Sequence, residues 1–121
     1  MNRIAKALSA LALLLAAAAA AHGHAFLDHA SPLVGSTVAT APRELVLWFT
    51  ETLEPAFSTV EVRNAQGVAV QSGKAQLDRN DGTQLRVPLK ALPGGTYQVI
   101  WRVLSVDTHR TQGSFSFRVG P

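Results

Sequence analysis

The chain contains no cysteine, and its only methionine is Met1. Without thiols there is no disulfide framework, no thiolate zinc site, no iron–sulfur cluster, no cysteine nucleophile and no blue-copper centre. Charge is sparse, at 16% of residues. Lys and Arg are scattered singly from Arg43 to Arg118, so no basic stripe is available to a nucleic acid. The Leu/Ala-rich run at residues 8–21 is 14 residues long, short of the roughly 20 needed to span a bilayer as a helix. At 121 residues the chain accommodates one small domain, not two.

The start of the sequence reads as a secretory signal. Arg3 and Lys6 form a positive region, the Leu/Ala run follows, and small residues come next, the pattern that a signal peptidase requires. Cleavage after Gly23 starts the mature chain at His24. Cleavage after Ala21 satisfies the small-x-small rule more strictly and starts it at His22. The chain carries 11 Lys+Arg and 8 Asp+Glu. Loss of Arg3 and Lys6 leaves residues 24–121 nearly neutral, so the basic balance belongs largely to the signal.

Beyond residue 23 the hydrophobic period is two. Leu45, Leu47 and Phe49 alternate with Glu44, Val46, Trp48 and Thr50. Val60 and Val62, then Leu85, Val87 and Leu89, repeat the pattern. So do Tyr97, Val99, Trp101 and Val103, and finally Phe115, Phe117 and Val119. Such runs suit strands with one buried face. Turn residues punctuate them at Ser31-Pro32, Ala41-Pro42, residues 64–67, Ser72-Gly73, residues 80–82 and residues 93–95. The expected architecture is all-β, a small antiparallel β-sandwich of about seven strands with no helix.

The informative polar residues are the histidines: His22, His24, His29 and His109. An N-terminal His24 carries an α-amine and an imidazole Nδ1 that chelate one metal in a six-membered ring, and such an amine deprotonates readily near neutral pH. Asp107-Thr108-His109 places a carboxylate and an imidazole at i and i+2, which share a side if the segment is extended. Two nitrogens from His24, one from His109 and an oxygen from Asp107 form an N3O set. That set suits Cu(II), with Zn(II) lower in the affinity order. His29 falls on the opposite side of an extended segment and reads as a surface residue. If the chain starts at His22, His22-Gly23-His24 is a rival Cu(II) motif that needs neither Asp107 nor His109. Ser105 and Ser114 near His109 show no nucleophile-elbow pattern, which argues against a hydrolase.

These residues fall in a pattern that resembles the CopC family of periplasmic copper-binding, copper-resistance proteins. The resemblance rests on H-A-F-L-D-H-A-S-P-L-V-G-S at residues 24–36 and L-V-L-W-F-T-E at residues 45–51. It continues in P-G-G-T-Y at residues 93–97, W-R-V-L-S-V-D-T-H at residues 101–109, and Gly113 with residues 115–119. It implies a Greek-key sandwich, cupredoxin-like or immunoglobulin-like, over residues 24–121. It also implies one Cu(II) per chain, held by His24, Asp107 and His109, and thereby cleavage after Gly23. Glu51 corresponds to an acidic residue of the family and is either a partner of the amine or a plain exposed carboxylate. Two departures stand out. The family usually has Gly where this chain has Thr108, and a β-branched residue disfavours positive φ, so an extended loop is expected there. Some members carry a Met-rich second site for Cu(I), whereas residues 63–77 here hold no Met and no His, so a Cu(II)-only member is expected.

The resulting expectation is a periplasmic, non-enzymatic Cu(II)-binding protein of copper resistance and homeostasis. It is expected to be monomeric, to bind no nucleic acid, and, by resemblance, to partner an inner-membrane copper transporter of the CopD type. Two alternatives have sequence grounds. A copper brace of two histidines is also used by oxidative polysaccharide-cleaving enzymes, although a carboxylate ligand disfavours the open position that such chemistry needs. A metal-free sandwich acting as an interaction module is the other.

Overall fold

The structure, a computed structural model, describes residues 24–121. The expected signal segment lies outside the described residues. Eight strands occur in order: β1 (Leu27–Ser31), β2 (Thr37–Val38), β3 (Glu44–Phe49), β4 (Thr59–Arg63), β5 (Gln76–Leu77), β6 (Gln84–Pro88), β7 (Gly95–Leu104) and β8 (Arg110–Val119). They form two four-stranded sheets, ordered β1-β3-β6-β5 and β2-β8-β7-β4. The sandwich expected from the alternation is therefore present, with one strand more than the seven anticipated.

All pairings are antiparallel except β2 with β8, where Thr37 and Val38 run parallel to Arg118 and Val119. One turn of 3-10 helix, Pro55–Phe57, departs from the helix-free expectation. Pro55 at its start supplies a pre-set φ and needs no donor there.

The inward faces hold the core. Leu45, Leu47 and Phe49 of β3 and Leu85 and Val87 of β6 meet Val60 and Val62 of β4. Tyr97, Val99, Trp101 and Val103 of β7 and Phe115, Phe117 and Val119 of β8 complete it. Each such side chain contributes roughly 1.5–3 kcal/mol on burial, and no disulfide is needed. Phe49 of β3 meets Trp101 of β7 edge-on at 5.3 Å across the two sheets, and within one sheet Tyr97 of β7 stacks on Phe117 of β8 at 5.5 Å.

Register brings several chain segments to one end of the sandwich. Leu27 pairs with Phe49, Trp48 with Gln84, and Leu104 with Arg110. The start of β1, the exit of β3 and the β7–β8 turn thus share that end. The sheets are tied together there. Leu53 bridges to Ser105, the Glu54 N–H donates to the Leu104 carbonyl at 2.8 Å, and the Val106 N–H donates to the Thr52 carbonyl at 3.0 Å.

Candidate metal centre

His24, 85 residues from His109 in sequence, lies directly against it. The two imidazoles stack with centroids 4.6 Å apart and planes 26° from parallel. Asp107 completes the neighbourhood, its Oδ1 lying 3.3 Å from His109 Nδ1. His109 is the central member, touching both others. With Nδ1 turned to the carboxylate, a nitrogen and an oxygen donor lie side by side at this turn. Among the described residues, no three His, Asp or Glu side chains converge on one point as a finished metal cage.

The route by which Asp107 and His109 meet differs from the one expected. Asp107 lies in a turn and Thr108 in a bend, with Thr108 at φ +73°. The extended loop argued from Thr108 is therefore wrong: the segment reverses, and β-branching does not prevent it. The turn is held from inside. The Thr108 N–H donates to the Ser105 carbonyl at 2.9 Å, and the Ser105 N–H donates to the His109 carbonyl at 3.0 Å. These bonds offset the left-handed backbone at a residue where Gly would be unstrained.

Ser105 is the buried support of this turn, only 1% exposed. Its hydroxyl donates to Asp107 Oδ1 and lies 3.4 Å from the His109 N–H, which donates to it. That hydroxyl is the main reason the Asp107 carboxyl sits below the usual aspartate range; desolvation opposes it and His109 adds to it. Asp107 is therefore an anion at neutral pH, as a metal ligand must be. Ser105 appeared in the sequence only as a rejected nucleophile. Its burial, which the alternation of β7 extends to position 105, was the signal available.

The first residues are fixed on the same end. The Ala25 side chain is fully buried in the core. The Phe26 N–H donates to Thr50 Oγ1 at 2.9 Å, and the Thr50 N–H donates to the Phe26 carbonyl at 2.9 Å. The Thr111 hydroxyl donates to the Ala25 carbonyl. Phe26, exposed, lies beside the His24 ring at 6.0 Å.

The other sequence candidates separate from this cluster. His29 is exposed and stacks on Trp48 at 4.3 Å, with its Nδ1 2.6 Å from Asp28 Oδ2. That agrees with a surface His and leaves Trp48 on the outer face of its sheet. Tyr97 and Trp101 are core residues, as their spacing implied. Glu51 is exposed on the segment leaving β3, next to the Thr52 carbonyl that receives the Val106 N–H. His22 lies outside the described residues.

The donors assembled are nitrogen and oxygen only, without sulfur. Such a set fits a borderline ion such as Cu(II) or Zn(II) and not the thioether-preferring Cu(I). The α-amine of His24 joins the set only in a chain that begins there.

Comparison with known proteins bears on the same region. A family model described as the CopC domain matches residues 27–120. Copper resistance protein C of Xanthomonas campestris pv. juglandis is 36% identical over 109 residues, covering 85% of each chain. Among solved structures, CopC from Methylosinus trichosporium OB3b superposes with a TM-score of 0.76 at 34% identity, over 81% of this chain and 95% of the other. PcoC, a methionine-rich copper resistance protein from Escherichia coli, gives 0.71 at 31% identity, over 80% and 99%.

Proposed function

This chain belongs to the CopC domain family, and from that premise we propose that it binds copper and serves copper resistance outside the cytoplasm, as a Cu(II) carrier or buffer. One Cu(II) per chain is held by the His24 amine and imidazole, the His109 imidazole and the Asp107 carboxylate. The observation that carries this reading is the 4.6 Å approach of the His24 and His109 rings, with Asp107 already against His109. His24, far from Asp107 and His109 in sequence, is their neighbour at one end of the fold, and rotation of these side chains would bring their donors to a common ion.

The site works by preorganisation. Ser105 keeps Asp107 ionised and oriented, and the turn through Thr108 fixes His109 beside it. The amine–imidazole chelate of His24 adds two donors from one residue, so the second binds with little further ordering. Hard nitrogen and oxygen donors favour the oxidised ion and oppose redox cycling. The relative named for its methionines contrasts with this chain, whose only methionine is Met1, which supports a protein that handles Cu(II) alone. Delivery goes to an inner-membrane transporter, and cleavage of the signal after Gly23 creates the amine.

The test is a chelator-competition titration of the processed protein and its His24→Ala and His109→Ala variants. Wild type should take up one equivalent of Cu(II) tightly. Either substitution should weaken binding by roughly a hundredfold or more, since each removes nitrogen donors from a four-donor set. Binding should also fall as pH drops and the amine and imidazoles take up protons. Wild-type affinity in both variants would remove the site from this end of the sandwich.

A further inference from the structure

We infer that Thr50 and Thr111, hydroxyl residues on opposite sheets, are positioning residues that clamp the backbone of residues 24–26 and so set His24 over His109. The inference rests on the metal site proposed above and adds two residues that touch no metal.

The geometry comes from three contacts on three consecutive residues. Thr50 Oγ1 accepts from the Phe26 N–H at 2.9 Å, and its own hydroxyl lies 3.4 Å from the His24 carbonyl, to which it donates. The Thr111 hydroxyl donates to the Ala25 carbonyl from the other side. Between them the Ala25 methyl is fully buried. Thr50 follows β3 of one sheet, and Thr111 belongs to β8 of the other. The segment is therefore stapled across the mouth of the sandwich.

A chain terminus normally frays. A ligand on a fraying residue must be ordered when the ion binds, a loss on the order of tenfold in the binding constant for each backbone residue fixed. Here the ordering is done on folding, by hydroxyls that fix the backbone carrying His24 beside the β7–β8 turn. Thr111 is notable because it occupies an inward position of β8 that the strand alternation would give to an apolar side chain. Its hydroxyl is spent on Ala25 instead.

The discriminating variants are Thr50→Val and Thr111→Val, which keep shape and remove the hydroxyl, with Thr111→Ser as the rescue. Each Val variant should weaken Cu(II) binding by about fivefold to tenfold, and the pair by more than either alone. The Cu(II) EPR spectrum of the pair should broaden or shift as His24 samples several poses, and Thr111→Ser should restore both affinity and spectrum. A merely structural role would lower Tm while leaving affinity and spectrum of the folded protein unchanged, and that result overturns the clamp. If the double variant does not fold, the Thr111→Val and Thr111→Ser pair decides the matter alone. His24→Ala is carried alongside. If it binds Cu(II) as wild type does, the ligand assignment itself has failed. If it loses Cu(II) while the threonine variants do not, the clamp alone has failed.

Discussion

Gly113→Ala is a one-carbon change whose effect can be worked from distances. Gly113 sits in β8 opposite Trp101 of β7, on the inward face. A Cβ built there would lie 2.4 Å from Trp101 Cζ2 and 2.7 Å from Cε2. Comfortable carbon–carbon contact is about 3.5–4.0 Å, so the indole must retreat by more than an ångström. It has little room. Trp101 is 7% exposed and meets the Phe49 ring edge-on. Overpacking a closed core costs about 1–3 kcal/mol. Replacing Gly by Ala returns about 0.4–1 kcal/mol by restricting the unfolded chain. The expected net loss is about 1–2 kcal/mol, or roughly 5–15 °C in Tm for a domain of this size. Thermal unfolding followed by tryptophan fluorescence reads both the loss and the displaced indole. A variant as stable as wild type, with an unchanged emission maximum, would falsify the view that Gly113 exists to let Trp101 lie across β8.

Three further outcomes follow from the same structure. Thr108→Gly should raise stability by roughly 1 kcal/mol, because relief of a left-handed β-branched residue outweighs the added freedom of Gly in the unfolded chain; a lower Tm in urea or heat melts would contradict it. Ser105→Ala removes the donor that chiefly holds down the Asp107 pKa, so the carboxyl should titrate nearer the ordinary aspartate value in an NMR pH titration, and an unmoved Asp107 would refute the role given to Ser105. Asp78 has its pKa lowered, first by Arg86, whose Nε donates to it at 2.8 Å, and then by the Asn80 N–H. A lowered folded pKa is stabilising above the ordinary aspartate value of about 4 and loses that effect as pH falls through the folded value. Tm measured from pH 6 down to pH 2 should therefore fall less steeply in Asp78→Asn than in wild type, and parallel curves would count against it.

The strands that were legible in sequence are those with one fully apolar face. Leu45, Leu47 and Phe49 announce β3, and Tyr97, Val99, Trp101 and Val103 announce β7. The strands β2 and β5 hold two residues each, too short for any period to show. The first half of β8 was hidden for a different reason. Its inward positions are Thr111 and Gly113, one turned to the Ala25 carbonyl and the other yielding to Trp101. A hydroxyl bonded to the Ala25 carbonyl and room for the indole replaced the hydrophobic signal there. The candidate ligands were legible as residue types, and the neighbourhood of His24, Asp107 and His109 is present. The turn that joins the last two was not, because local propensity at Thr108 argues against a left-handed residue and the bonds that override it come from Ser105, three positions earlier.

The most direct test of the central claim is native mass spectrometry of the exported protein after one equivalent of Cu(II), run beside Asp107→Ala and His109→Ala. The account predicts a chain that starts at His24, carries one copper, and loses it in competition when either residue is replaced. A chain starting at His22 that keeps its copper in both variants would contradict it and move the metal to His22-Gly23-His24.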